Sequence, residues 1–327
     1  MKNSHTTVIR RTPPRSRRWL SALSWFAYAI VCAVALVGGT AAGWLKSSPV
    51  LSAMSAQFLT NKNASDVFDD DALTVLVLGC DEDRSRGGAK VVRENARSDM
   101  MLVTKIDFAN KRVGGISIPR DLEVGLPGYR SQKINAYHSI GGKDLAKRAA
   151  ESVLGVPIDR VIVLNYKAFQ ELVDVVGGVE VYVPKNMKYT DRPGDLYIDL
   201  KKGRQWLDGY QAMGFVRFRH SDSDFKRMER QRDFLFALKD RVMKNSSLLP
   251  TIVNKGSEVI GDEFSPDELA SLALFLRGVS NDNIRMSSLP VVEGRGTNLN
   301  LDAGKLSEVL LENFLSGYAV EGRVSQR

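Results

Sequence analysis

The stretch ALTVLVLGCD at residues 72–81 decides the fold class of this 327-residue chain. Its first eight residues form an unbroken apolar run, which is typical of a strand buried on both faces of a sheet. Asp81 follows the run directly, at the carboxyl end of the predicted strand, where loops commonly bind ligands. We therefore expect a buried strand over residues 72–79 with a polar loop at its end.

Strands and helices alternate from this strand to the end of the chain. Two further strands, at residues 100–106 and 112–118, are joined by a turn-like segment and predict a hairpin. A Ser-Pro-Asp-Glu run from Ser265 has the cap chemistry of a helix start. Other strands are predicted at residues 160–165, 179–183 and 284–289, and other helices at 143–154, 166–176, 208–218, 225–244 and 302–315. This pattern predicts one α/β domain over residues 71–327, with a mixed sheet and flanking helices in three layers.

The N-terminal segment has the features of a membrane anchor. Residues 19–45 carry no charge over 27 positions, and roughly 20 apolar residues suffice to cross a bilayer. Arginines crowd residues 1–18, so the positive-inside rule predicts a cytoplasmic tail there and an extracytoplasmic domain. A cleaved signal peptide is the competing interpretation, although its apolar region is usually about 7–15 residues long. Residues 46–70 indicate a stalk, with a possible helical continuation over 50–59.

Charge and cysteine content exclude several classes of protein. The formal charge is +8, but six basic residues and no acidic ones lie within residues 1–18. The remainder has 40 basic and 38 acidic residues, which argues against a nucleic-acid surface on the domain. Cys32 lies in the apolar segment, so Cys80 has no disulfide partner within the domain, and neither cysteine has metal-ligand spacing. A G-x-S-x-G elbow, a P-loop and a complete dinucleotide fingerprint are absent from the sequence.

The residues that suggest chemistry are arginines and aspartates at the ends of predicted elements. Any one of them alone would also fit a solvated charge or a helix cap. Arg227 and Gln231 share a helix face, because they are four residues apart. The candidates are Asp81, Arg97, Asp99, Arg120, Arg217, Arg219, Arg227, Arg230 and Gln231.

If these ends meet, several guanidinium groups converge, which is costly unless an anion fills the pocket. The planar guanidinium fork suits phosphate oxygens. Asp81 and Asp99 would supply the hard oxygen ligands that Mg²⁺ needs. Together these side chains predict a pyrophosphate site with a metal.

Several long runs of the sequence appear in the order known from one protein family. They are LVLGCD, ARSDMMLVTKID, GGISIPRDLEV, LPGYRSQKINAYHSIGG, VLGVPIDRVIVLNYKAF, LVDVVGGVEVYVP and LDGYQAMGFVRFRHSDSDFKRMERQ. On these runs, from about residue 73 to 244, the chain resembles the LytR-CpsA-Psr family of cell-wall glycopolymer phosphotransferases. Cys80 and Lys226 depart from the residues usual in that family, but neither departure removes a candidate ligand.

The resemblance implies a membrane-bound transferase of cell-wall biogenesis. Its donor would be a polyprenyl-pyrophosphate-linked glycopolymer, its acceptor a peptidoglycan sugar hydroxyl, and its released product polyprenyl phosphate. Asp81 and Asp99 look like ligands of Mg²⁺ (or Mn²⁺), and together with Arg120 they look like the catalytic residues. The pyrophosphate and phospho-sugar contacts implied are Arg97, Arg120, Arg217, Arg219, Arg227, Arg230 and Gln231.

Two other functions remain open at this point. Water in place of the sugar hydroxyl would make the protein a polyprenyl-pyrophosphate hydrolase. A protein that holds lipid-linked precursors without chemistry would be a non-catalytic envelope binding protein.

Overall fold

The computed structural model describes residues 49–60, 62–80, 97–191, 196–218, 224–245 and 248–315. The predicted tail at 1–18 and the predicted transmembrane helix at 19–45 lie outside these ranges. Within them, no helix has both the length and the apolar character needed to span a bilayer. From Val50 onward the described residues belong to one compact unit.

Thirteen strands and nine helices are assigned within the described residues. The strands are β1 (Ala72–Cys80), β2 (Ser98–Asp107), β3 (Arg112–Ile118), β4 (Glu123–Val124), β5 (Gln132–Lys133), β6 (Arg160–Asn165), β7 (Val179–Val183), β8 (Met187–Asp191), β9 (Leu196–Leu200), β10 (Gly203–Leu207), β11 (Ile284–Ser288), β12 (Val291–Glu293) and β13 (Leu299–Leu301). The helices are α1 (Pro49–Thr60), α2 (Ala64–Phe68), α3 (Asn135–Leu154), α4 (Tyr166–Val175), α5 (Gly209–Arg217), α6 (Asp224–Lys244), α7 (Leu249–Ile260), α8 (Pro266–Gly278) and α9 (Ala303–Leu310).

A five-stranded sheet in the order β11-β3-β2-β1-β6 forms the centre of the domain. β2 is antiparallel to both β1 and β3, which confirms the predicted hairpin. β6 is parallel to β1, and β11 is parallel to β3. The predicted mixed sheet is therefore confirmed, and four of its strands end at one edge, where β2 begins.

Residues of β1 alternate between the two faces of this sheet, as strand geometry requires. Leu76 and Leu78 are fully buried in a core that contains residues of α3. Leu73 and Val75 point to the other face, where they pack with residues of α1, α2 and α8. Helices thus lie on both faces, in a helix–sheet–helix arrangement.

A second core lies outside the central sheet. It joins α4, α5 and α6 to two small antiparallel ribbons, β7–β10 and β8–β9. Residues 179–183 do form the predicted strand, but β7 pairs with β10 instead of extending the central sheet. Strands β8 to β10 and helix α7 were not anticipated from the sequence. The helix predicted at 143–154 begins earlier, at Asn135, and is interrupted at Gly141–Gly142 by non-helical backbone angles.

The structure corrects the interpretation of residues 46–70 as a stalk, at least from residue 49 onward. The helical continuation is present as α1, and its Ala53 is buried in the same core as Ala64 of α2. The Gln57 Nε2 group donates a 2.7 Å hydrogen bond to the backbone oxygen of Asp267. This segment packs on the domain, because its apolar side chains complete the core beneath α8.

Gly209 sets the position of α5 against α4. A Cβ atom at this position would overlap the backbone carbonyl of Gln170, and the Gly209 amide donates to Asp174 Oδ1 at 2.7 Å. We expect Gly209→Ala to lower the free energy of unfolding of the full chain by about 1–3 kcal/mol, the usual cost of overpacking. Chemical denaturation followed by circular dichroism measures the change.

Gly256→Ala is the matched control, because Gly256 is also helical but has nothing within 4 Å of an added Cβ. That substitution should raise the free energy of unfolding by up to about 1 kcal/mol, since alanine favours helix. Equal effects of the two substitutions would contradict the close packing of α5 on α4.

Candidate functional site

The site lies at the edge of the central sheet where β1, β3 and β6 end and β2 begins. Asp99 is the second residue of β2, Arg120 follows β3 after one proline, and Tyr166 follows β6 directly. The register places Met101 opposite both Leu78 and Ile118, so these ends are adjacent in space. The mixed topology therefore brings together residues that are far apart in the sequence.

The carboxylate of Asp99 is the centre of the polar cluster. Arg120 Nη1 donates to Asp99 Oδ1 at 2.6 Å, and the Tyr166 hydroxyl donates to Asp99 Oδ2 at 2.8 Å. Asp99 and Arg120 remain about one third exposed, at 31% and 35% of their side chains. The pair therefore lies at a surface that a ligand can reach.

Arg217 approaches the same carboxylate from the last turn of α5. Its Nη2 atom lies 4.0 Å from Asp99 Oδ2. Its guanidinium stacks over the ring of Tyr166, 4.0 Å from the ring centroid, which is a favourable cation–π geometry. Tyr166 thus supports Arg217 with its ring and Asp99 with its hydroxyl.

A second carboxylate holds the other side of Arg120. Asp121 Oδ2 lies 3.6 Å from Arg120 Nε, and Lys133 Nζ contacts Asp121 Oδ1 at 2.6 Å. Burial alone would lower the pKa of Arg120, but the hydrogen bond and charge of Asp99, together with Asp121, raise it. Arg120 Nε is buried and faces Asp121, so an anion can reach only the exposed third of the Arg120 side chain.

A large cavity of about 750 Å³ opens beside this cluster. The sheet contributes Val77, Leu102 and Leu164, which continue the face that carries Leu73 and Val75. The apolar wall opposite is formed by the helices, for example by Phe169, Val216 and Phe234. The cavity is therefore apolar along most of its length and charged where Asp99 and Arg120 line it.

Five of the predicted site residues line this one cavity: Asp99, Arg120, Arg217, Arg227 and Gln231. Arg97 is exposed and is not among the lining residues. Asp81 and Arg219 lie outside the described residues. Within the described residues, three of the predicted arginines therefore line the same cavity.

Arg230 has a structural environment that differs from its predicted role as a substrate contact. Only 4% of it is exposed. Its Nε donates to the Phe215 oxygen at 3.3 Å, and its Nη2 donates to the Phe218 oxygen. Arg230 therefore satisfies carbonyl groups at the end of α5, and it does not line the cavity.

Tyr166 is the site residue that the sequence analysis missed. Its position could have suggested it, because it directly follows the buried strand β6, as Asp81 directly follows β1. The apolar lining was expected, but its members depend on the packing of α4, α5 and α6 over the sheet. Strand periodicity alone does not reveal that packing.

His138 and Cys80 are not arranged as metal ligands with other described residues. Cys80 Sγ lies 3.6 Å from His138 Nδ1, and both side chains are buried on the α3 side of the sheet. Across the part of the chain that the structure describes, no group of three or more His, Cys, Asp or Glu side chains could hold a metal ion. Asp99 is the described member of the predicted ligand pair, and its carboxylate is the hard oxygen donor that Mg²⁺ prefers.

This geometry forms a candidate anion-binding site at the end of an apolar cavity. The model of the LytR_cpsA_psr family matches residues 44–312, and the chain belongs to this family. The polyisoprenyl-teichoic acid–peptidoglycan teichoic acid transferase TagT of Bacillus subtilis is 35% identical over 180 residues, which cover 54% of this chain and 55% of TagT. The chain thus matches about half the length of that relative.

Solved structures share the fold. The crystal structure of B. subtilis TagV aligns with a TM-score of 0.59 at 30% identity, covering 74% of this chain and 97% of that chain. The LytR-CPS2A-psr family protein YwtF (TagT) with bound octaprenyl pyrophosphate lipid aligns with a TM-score of 0.53 at 26% identity, covering 74% and 88%. The family resemblance stated from the sequence is therefore confirmed.

The different environments of two arginines on α6 generate a stability prediction. We expect Arg230→Met to lower the free energy of unfolding by about 2 kcal/mol, because buried carbonyl groups lose their donor. Arg227→Met, which removes a cavity-lining side chain of the same type and helix, should change it by less than about 1 kcal/mol. Equilibrium denaturation of the two full-length variants makes the comparison, and the reverse order would contradict the structural role of Arg230.

Proposed function

We propose that this protein is a membrane-anchored, extracytoplasmic phosphotransferase. It moves a polyprenyl-pyrophosphate-linked anionic glycopolymer, with one phosphate, onto a peptidoglycan sugar hydroxyl and releases polyprenyl phosphate. The observation that carries this proposal is the charged cluster of Asp99, Arg120 and Arg217 at one end of a large apolar cavity. A lipid pyrophosphate has the same division into an apolar tail and an anionic head.

Family membership supports the same conclusion. The relative TagT is named as a teichoic acid transferase, and a TagT structure holds octaprenyl pyrophosphate lipid. For the chain described here, we propose that the polyprenyl tail occupies the cavity and that the pyrophosphate contacts Arg120, Arg217 and Arg227. Gln231 and Arg219 complete the contacts to the phospho-sugar. The anchor over residues 19–45 and the external location of the domain belong to this proposal.

The reaction is an in-line displacement at the phosphorus that carries the glycopolymer. The acceptor hydroxyl oxygen forms a bond to this phosphorus, and the bond from the phosphorus to the bridging oxygen breaks. Polyprenyl phosphate leaves with the bonding electrons, and Asp81 or Asp99 accepts the proton of the hydroxyl. Arg120 and Arg217 stabilise the negative charge that develops on the departing phosphate.

Arg120 is held in position for this task before substrate binds. Asp99 contacts Nη1 of its guanidinium and Asp121 faces Nε, so the plane of the group is fixed from two sides. A phosphate oxygen would accept from the exposed part of this guanidinium at no cost of reorienting the side chain. Positioning of this kind is a major source of catalysis in phosphoryl transfer.

A divalent cation, Mg²⁺ or Mn²⁺, fits the carboxylates that we assign to it. Asp99 and Asp81 would hold it, and when bound it would neutralise charge on the pyrophosphate. The Asp99 carboxylate has about four lone-pair sites, and two are used by Arg120 and Tyr166. A further ligand bond from Asp99 is therefore compatible with both contacts.

The first test of this proposal is the Arg120→Ala substitution in the full-length protein. We expect the transfer of polymer from purified lipid-linked donor to peptidoglycan to fall by at least about 100-fold, the scale of removing one donor to a developing oxyanion. Mass spectrometry of the purified protein should also lose any co-purifying polyprenyl phosphate or pyrophosphate. Arg112→Ala, at the opposite end of β3, is the matched control and should retain both properties.

The results separate the candidate functions. Transfer at the normal rate by Arg120→Ala would reject the site. Release of phosphate without acceptor would identify a polyprenyl-pyrophosphate hydrolase instead. Lipid retention without either reaction would identify a non-catalytic binding protein.

Metal removal provides a further test. We expect chelation to abolish transfer and Mg²⁺ or Mn²⁺ to restore it, because the charge of the pyrophosphate needs a counter-ion. Asp99→Asn should raise the metal concentration required for half-maximal activity, since it removes a charged ligand but preserves the shape of the side chain. Full activity of the wild-type protein after exhaustive chelation would contradict the metal assignment.

A further inference from the structure

The ribbon formed by β7 and β10 exposes two aromatic side chains on its outer face. Tyr182 and Trp206 are 57% and 53% exposed, although large aromatic side chains are usually buried. Arg204 lies directly opposite Tyr182, and Glu180 lies directly opposite Trp206. The inward residues Val179, Val181 and Val183 of the same strand are buried in the second core. These four outward residues, Glu180, Tyr182, Arg204 and Trp206, are named the ribbon face below.

Trp206 is fixed in place from one side. The guanidinium of Arg241 lies 4.9 Å from the centroid of the indole ring. Arg241 is itself anchored, because its Nε donates to the Val176 oxygen at 3.1 Å. The indole is thus held by a cation–π contact and still has more than half of its surface in solvent. A ring that is already ordered loses little conformational entropy when a partner stacks on it.

The chemistry of the ribbon face selects among possible partners. Tyr and Trp also occur at bilayer surfaces, but there they accompany aliphatic and basic side chains, whereas this face has no aliphatic residue and carries the acidic Glu180. A polyanion would favour a cluster of positive charge. This face instead carries one acidic and one basic residue, Glu180 and Arg204, which lie diagonally across the ribbon. A flat ring flanked by a carboxylate and a guanidinium matches a neutral sugar, whose C–H face stacks on indole while its hydroxyl and acetamido groups form hydrogen bonds.

From these observations we infer that the ribbon face binds a β-linked glycan of N-acetylated amino sugars. Such rings carry equatorial substituents, so one face of each ring is a flat array of C–H groups. Trp206 and Tyr182 are diagonal neighbours across the ribbon and can contact adjacent sugars. Glu180 accepts hydrogen bonds from sugar hydroxyl or amide groups, and Arg204 donates to acetamido or hydroxyl oxygens.

The inference rests on the proposed function only for the role of the glycan, which would be the acceptor. Helix α6 connects the two places, because it carries both Arg227 of the cavity and Arg241 beneath Trp206. Fourteen residues separate them, which is about 21 Å along a helix at about 1.5 Å per residue. A monosaccharide does not span that distance, so acceptor strands of several sugars should bind and react better than short ones.

Fluorine NMR of the full-length protein in detergent micelles tests the binding directly. The chain has four tryptophans, so 5-fluorotryptophan labelling gives four sites, and Trp206→Phe assigns one of them. Titration with β-1,4-linked N-acetylglucosamine tetrasaccharide should shift the Trp206 signal in a saturable way. The monosaccharide, and an α-linked glucose tetrasaccharide, should bind at least about tenfold more weakly.

Variants of the ribbon face distinguish specific binding from a general surface effect. Tyr182→Ala should lower the affinity for the tetrasaccharide about tenfold, the scale of losing one aromatic anchor. Tyr197→Ala removes a tyrosine of similar exposure, 51%, from strand β9 of the other ribbon and should leave the affinity unchanged. Because Trp206 itself is kept in both variants, its signal reports folding and binding together.

Three results would overturn the inference. The Trp206 signal does not move at millimolar tetrasaccharide, the two tyrosine variants lose affinity equally, or phospholipid bicelles shift the signal while the sugar does not. Transfer kinetics then separate this inference from the proposed function. Trp206→Ala should raise the KM for acceptor strands and leave kcat and lipid retention unchanged, whereas sugar binding without any transferase activity would reject the proposed function alone.

Discussion

The ion pair between Asp99 and Arg120 is the interaction on which the rest of the site depends. Converging guanidinium groups repel one another and lose hydration, so their assembly beside an apolar cavity requires a nearby negative charge. Asp99 supplies it to Arg120 at 2.6 Å and, at longer range, to Arg217. The pair forms only because β2 runs against β1 and β3, which brings the start of one strand to the ends of its neighbours. An all-parallel sheet would place Asp99 at the opposite edge.

One face of the central sheet is covered by helices near the start of β1 and lines the cavity near the end of β1. Near the start of β1, Leu73 and Val75 are covered by α1, α2 and α8. Two and four residues beyond Val75, Val77 and Gly79 line open space under α4, α5 and α6. The strand alternation is unchanged, so only the covering helices differ. The second core holds these helices at a distance from the sheet, which leaves room for an apolar ligand beside the polar edge.

Features that depend on local sequence patterns were predicted from the sequence, whereas features that depend on tertiary packing were missed. The runs of β1 and β6 were predicted as strands because their apolar residues are continuous, and the i, i+4 spacing correctly placed Arg227 and Gln231 together. Arg230, one position away, faces α5 instead, and no local pattern distinguishes a buried guanidinium from a cavity-lining one. The ribbon strands β8 to β10 were missed because charged and aromatic residues interrupt their alternation. Residues 46–70 were interpreted as a stalk, because the apolar positions of this segment have a visible partner only when α8 is packed against them.

The Asp99 carboxylate orients Arg120 without saturating it, and this difference bears on catalysis. A guanidinium has five N–H donors in a fixed plane. Contacts to Asp99 at Nη1 and to Asp121 near Nε fix that plane, while about a third of the side chain stays exposed. An entering phosphate therefore completes a partly satisfied group instead of displacing its partners. The binding energy is then available to hold the charge that develops during transfer, which is the physical basis of electrostatic preorganisation.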